Sequence, residues 1–118
     1  MLGELDHVAI AVADRAKAKA LYTSLGFTPH ASETVAEQGV HVEVLTLGTL
    51  RVELLEPMDA NSPVHRFLEK RGEGIHHLCF RVKDIRAALA QCKAQGLRLI
   101  DEMPRSGEGG HQIAFVHP

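Results

Sequence analysis

The chain has 118 residues, 45% hydrophobic and 24% charged, with a formal net charge of −2. Such values fit a single soluble globular domain and exclude a disordered chain or a general nucleic-acid or acidic-membrane binder. No apolar run approaches the ~18 residues of a membrane span, and MLGELDHVAIAV lacks the basic segment and cleavage site of a secretion signal.

Residues 5–12 are aliphatic and β-branched, which predicts a strand. Asp14 is placed to cap a helix. Ala18, Leu21, Tyr22 and Leu25 recur at i, i+3, i+4 and i+7 as its apolar stripe. Gly26 suits the left-handed position past its end. Strands are expected near 27–33, 40–47 and 50–56. Asn61 or Ser62 then caps a linking helix, with Pro63 near its first position and Phe67 and Leu68 on its buried side. A further strand-like run, IHHLCFRVKD, ends on Asp84. Asp84 opens a second helix with the stripe Ile85, Ala88, Leu89 and Cys92, stopped by Gly96. Strands near 97–101 and 110–116 complete the chain. MPRSGEGG (103–110) lacks the Lys-Ser/Thr of a phosphate loop and reads as a mobile loop able to close over a substrate.

The order of elements repeats. Sliding the chain by 70 residues aligns Leu5–Gly48 with Ile75–Pro118 without a gap. Eight of these 44 pairs are identical: His7/His77, Val12/Val82, Asp14/Asp84, Ala18/Ala88, Ala20/Ala90, Gly26/Gly96, Gly39/Gly109 and His41/His111. Ordinary composition gives roughly three by chance. The expected fold class is therefore α+β, with two tandem βαβββ units. They span 5–57 and 75–118, joined by a linking helix in 58–74, within one domain of 1–118. By the same offset, the counterpart of strand 50–56 falls beyond Pro118, so the second unit is expected without its last strand.

Eight histidines are many for this length. The repeat equates His7 with His77 on matching faces of matching strands, while alternation sends Asp6 and His76 to the opposite face. Two symmetric histidines in one cleft would make half a metal site, because divalent metals favour imidazole with carboxylate. The blander and commoner reading is two satisfied core histidines descended from one ancestor. Glu53 lies mid-strand in RVELLEP, on the side of Arg51 and Leu55. It is either buried with a partner or turned out to solvent. Glu56 reads as solvated at the strand end. His41 and His111 match across the repeat on an unassigned face. His30 and His65 read as surface positions, and His117 is terminal. Cys79 and Cys92 are too few for a disulfide scaffold, fit a reducing compartment, and read as small buried hydrophobes. No Ser-His-Asp order or GxSxG motif is present.

LDHVAIAV (5–12), EQGV (37–40), VELLEP (52–57), SPVHRFLEKRGEGIHHLCFRV (62–82) and GGHQIAFVHP (109–118), with their spacing, cover essentially the whole chain. In these stretches the chain resembles the methylmalonyl-CoA epimerases of the vicinal oxygen chelate superfamily. The resemblance implies paired βαβββ units around an open, barrel-like cleft. It implies a divalent metal, cobalt foremost, with zinc, manganese or nickel as alternatives. The family's ligands carry over to His7, Glu53 and His77. The family's fourth ligand, a Glu, lies on the strand expected beyond Pro118. A homodimer, a cytoplasmic location and an acyl-CoA substrate are also implied, with no nucleic-acid or membrane partner.

The implied reaction interconverts the (2R) and (2S) epimers of methylmalonyl-CoA by proton abstraction at C2, through a metal-stabilised enolate. Two acid/base groups flanking C2 are the simplest arrangement. Some family members carry a Glu just after the EQGV-like motif. Glu43 lies one residue further along the strand, a slip that moves a side chain to the other face. Glu43 is therefore not assigned as base, and the catalytic residues stay open. Arg and Lys near 66–71 and 105 read as a solvated basic surface rather than as CoA contacts. Two other readings share the fold: a glyoxalase I-type lactoylglutathione lyase, and a metal-free small-molecule-binding protein.

Overall fold

The computed structural model describes residues 1–118. Its first unit runs β1 (Leu5–Ala11), α1 (Arg15–Ser24), β2 (Thr28–Val35), β3 (Val40–Leu47) and β4 (Leu50–Pro57). α2 (Pro63–Arg71) links it to β5 (Gly74–Phe80) and α3 (Ile85–Ala94), followed by two short strands, β6 (Arg105–Ser106) and β7 (Gln112–Ile113).

The helices begin where side chains satisfy free N–H groups. Asp14 accepts from the amides of Ala16 and Lys17, and Asp84 from those of Arg86 and Ala87. Ser62, not Asn61, caps α2, and Pro63 opens it. The 70-residue offset maps α1 onto α3 end for end. It also relates Gly39 (φ 66°) and Gly109 (φ 69°), both left-handed, a conformation that glycine adopts without penalty.

Five strands form one sheet in the order β2-β3-β4-β1-β5. β1 runs parallel to β4 and antiparallel to β5, so it sits between the two units. β3 and β4 form a hairpin closed by Gly48 and Thr49. Each face of the sheet has its own core. On one, Ala9, Ala11, Val40, Val42, Val44 and Leu55 pack under Val64, Phe67 and Leu68 of the linking helix. On the other, Val12, Leu45, Val52 and Leu54 pack against Ala18 and Tyr22 of α1. The α1 stripe is thus only half buried: Leu21 is 56% and Leu25 64% exposed.

The strands expected at 97–101 and 110–116 are fragmentary. β6 pairs with β7 over two residues each, and an isolated bridge joins Leu99 to Val116. Between them the ladder is diverted: the amide of Phe115 donates to the Asp101 carboxylate (2.8 Å) rather than to a strand partner. Pro104 offers no N–H to restore it. No helix is long and apolar enough to cross a membrane.

Candidate metal centre

Three adjacent strands bring His7 (β1), Glu53 (β4) and His77 (β5) together. Ala9 faces Glu53 on one side and His77 on the other. His7 is two residues from Ala9, so period-2 alternation puts all three side chains on one face. His7 Nδ1 lies 3.2 Å from Glu53 Oε2. The His7 and His77 rings meet edge to face, with centroids 5.6 Å apart.

Asp6 and His76 do not point away from these histidines as alternation predicts. The β1–β5 register slips twice, between Leu5 and His7 and between Ala9 and Ile10. The first slip leaves Asp6 without a facing residue, and the second does the same to His76. An extra residue at a bulge is re-aimed relative to the pleat. Asp6 Oδ2 consequently lies 2.7 Å from His7 Nδ1, and His76 Nδ1 lies 2.9 Å from His77 Nδ1. The bulged residues are themselves partners at the 70-residue offset.

Burial sets the electrostatics. Glu53 is only 4% exposed. Burial, and after it the Glu108 carboxylate nearby, push its pKa up to about 7. Burial, and then the neighbouring His76 and His7, bring His77 down to about 3, so its ring is neutral. The His76 ring is likewise held below its usual pKa by burial. Asp6 behaves differently: burial pushes its carboxyl up, but hydrogen bonds with His7 and Arg81 outweigh that and hold it low. Cys79 offers its sulfur within 4.8 Å of the Asp6 and His7 ligand atoms. Burial raises that thiol to about 11, which keeps it protonated in the metal-free protein.

The donor set fits a divalent cation. Two imidazoles and a carboxylate share one face, and Glu53 is a buried carboxylate whose ionisation demands a nearby positive charge. Arg51 cannot fully supply that charge: its Nε is 3.9 Å from Glu53, and its Nη2 is taken by Glu108 at 2.7 Å.

Several neighbours of this centre were not singled out by sequence reasoning. Phe115 stacks edge-on against His77 at 5.1 Å. Glu108 arrives on the glycine-rich loop, which docks across the cleft. Besides the Arg51 pair, the Gly109 amide donates to Glu33 (2.7 Å) and Gln38 donates to the Ser106 carbonyl (3.3 Å). Glycines around a single acid are the only trace of this in the sequence.

The remaining candidates sit elsewhere. Glu43 is buried on the α1 side, held by Ser32 (2.8 Å) and Lys19 (3.5 Å). Val42 lines the cleft in its place. Glu56 is not simply solvated, since it accepts from the Arg15 amide (2.9 Å) at the start of α1. His41 bonds Thr34 (2.8 Å). His30, His111 and His117 are exposed.

Residues 6–115 match the model of the glyoxalase/bleomycin resistance protein/dioxygenase superfamily. The chain is 41% identical to an ethylmalonyl-CoA/methylmalonyl-CoA epimerase of Cereibacter sphaeroides, over 100% of this chain and 90% of that protein. A crystal structure of methylmalonyl-CoA epimerase from Mycobacterium tuberculosis superposes with a TM-score of 0.95 at 37% identity, covering 99% of this chain and 80% of that one. A Streptomyces coelicolor methylmalonyl-CoA epimerase variant, in complex with 2-nitronate-propionyl-CoA, superposes with a TM-score of 0.92 at 34% identity, covering 100% and 87%. The chain belongs to the glyoxalase/bleomycin resistance protein/dioxygenase superfamily, and its relatives include methylmalonyl-CoA epimerases.

Proposed function

We propose that the chain is a divalent-metal-dependent methylmalonyl-CoA epimerase. The observation that carries this reading is the placement of His7, Glu53 and His77 on one face of β4, β1 and β5, in a chain with relatives named as methylmalonyl-CoA epimerases. C2 of methylmalonyl-CoA lies between a carboxylate and a thioester, so removing its proton places charge on the thioester oxygen. A bound divalent cation supplies Lewis-acid stabilisation of that charge. His7, Glu53 and His77 would hold the ion, and the neutral His77 ring has a lone pair to offer. Glu108 of the docked loop, paired with Arg51 of β4, borders one side of the cleft. The apolar wall formed by Val42 and Leu55 suits the part of the substrate that carries no charge. Glu43 is excluded as the base by its position on the opposite face of the sheet.

The same reading takes cobalt(II) as the ion, a homodimer as the assembly and the cytoplasm as the location, all on family resemblance. It takes residues 1–118 as one domain of two units joined by the 58–74 linker. The test is incubation with (2R)- or (2S)-methylmalonyl-CoA in deuterated water with cobalt(II). Deuterium is expected at C2, with loss of exchange on chelation and a fall of about 10²–10³-fold in His77→Ala. Absence of deuterium at C2 in the metal-loaded protein would overturn the epimerase reading.

A further inference from the structure

We infer that Asp6 is a positioning residue for His7: it holds the imidazole in the tautomer that leaves Nε2 free to ligate a divalent cation. The inference rests on the metal-centre reading above and goes beyond it to a residue that is not itself a ligand.

Three observations carry it. The first is direction. An ionised carboxylate can only accept a hydrogen bond. The 2.7 Å contact between Asp6 Oδ2 and His7 Nδ1 therefore places the ring hydrogen on Nδ1 and the lone pair on Nε2. The second is that Asp6 is itself fixed. Its other oxygen, Oδ1, lies 2.8 Å from Arg81 Nε, which anchors the carboxylate across the strand pair. With both oxygens engaged, the Asp6 carboxylate is held in the orientation that meets the ring. The third is that the backbone is shaped for the contact. Asp6 reaches His7 only because β1 bulges at that residue. The second unit repeats the device, with a bulge at His76 that brings its Nδ1 to His77. Both first-strand histidines are thus gripped at Nδ1 by the residue before them, one by an anion and the other by a neutral ring.

The asymmetry has a consequence for Glu53. The shorter Asp6 contact satisfies the His7 Nδ1–H, whereas Glu53 stands off at 3.2 Å. The Glu53 carboxylate is therefore not committed to His7. Carboxylate partners of ligating histidines typically govern metal affinity by about 10–100-fold.

Two measurements test this. Cobalt(II) affinity is read by competition with a chelator in the wild-type protein, Asp6→Ala and Asp6→Asn. The tautomer of His7 is read in the metal-free proteins by ¹⁵N NMR of the ring nitrogens. The expected result is a loss of about 10–100-fold in affinity for Asp6→Ala, with the ring hydrogen moving away from Nδ1. Asp6→Asn, which keeps an acceptor without the charge, is expected between the two and serves if the alanine variant folds poorly. A lower melting temperature with unchanged affinity and tautomer would show a merely structural role and overturn the inference. If the wild-type protein binds no cobalt(II), the metal-centre reading falls and this inference falls with it. If cobalt(II) binding responds as expected but no deuterium enters C2, the positioning role stands and the epimerase reading alone fails.

Discussion

The two units begin alike and finish differently. Each opens with a strand carrying a histidine, an aspartate cap and a ten-residue helix. Yet of the 19 buried residues, only Leu89, Cys92 and Gly107 lie beyond residue 74. The first unit buries most of β1, β3 and β4 because they pair side by side and are covered on both faces, while the edge strand β2 stays largely exposed. In the second unit β5 pairs only with β1, and Ile75 and Leu78 remain 63% and 54% exposed. The comparison separates two things that sequence patterns tend to merge. Caps and stripes make local elements, whereas burial depends on how many neighbours a strand acquires.

The buried ionisable groups sharpen this contrast most. Glu53 of the first unit has its pKa raised from 4.5 to about 7. The native state then holds the proton more tightly than the unfolded chain. Its contribution to stability is fully present below pH 4.5 and is lost as pH rises through 7. Glu53→Gln is therefore expected to stabilise the metal-free protein by up to about 3 kcal/mol at pH 8, with the gap closing near pH 4. Denaturant titration at the two pH values, with chelator present, checks this. His77 of the second unit slopes the other way. Its depressed pKa makes stability fall as pH drops below about 6.5 toward 3.

Identical residues at matched positions test burial directly. Val12 is 4% exposed, whereas its repeat partner Val82 is only half-buried. Val12→Ala is expected to cost about 1–2 kcal/mol and Val82→Ala less than about 0.5 kcal/mol, read from chemical unfolding midpoints. Equal losses would contradict a core confined to the first unit. The smallest difference is expected at the helix caps. Asp14 and Asp84 make the same two bonds to the same two amides of their helices. Alanine at either is expected to cost about 1 kcal/mol, and thermal unfolding of the two variants should give nearly equal shifts. A large inequality would mean that local capping too depends on the surrounding unit.

Much of this was legible without coordinates. The caps, the strands of the first unit, the linking helix and the 70-residue repeat follow from side-chain chemistry and period, which act over a few residues. So does the pairing of His7 with His77, because duplication preserves strand and face. Glu53 was legible as a candidate but not as a buried one, since alternation gives its side of the strand and not what covers that side. The position of Glu43 followed from the one-residue slip alone, and the structure supplies its partners, Ser32 and Lys19. Asp6 and His76 were misplaced, because alternation assumes an unbroken pleat and both sit at bulges.

The sequence by itself therefore determined the elements and the two-unit plan, through signals carried within single turns and strands. Only the tertiary structure decided that β1 lies between β4 and β5. It also decided that the pairing there slips by one residue twice, and that the glycine-rich loop lands on Arg51. Those outcomes depend on which distant segments become neighbours. Strand register and loop docking are settled by packing between such segments, which no local pattern encodes.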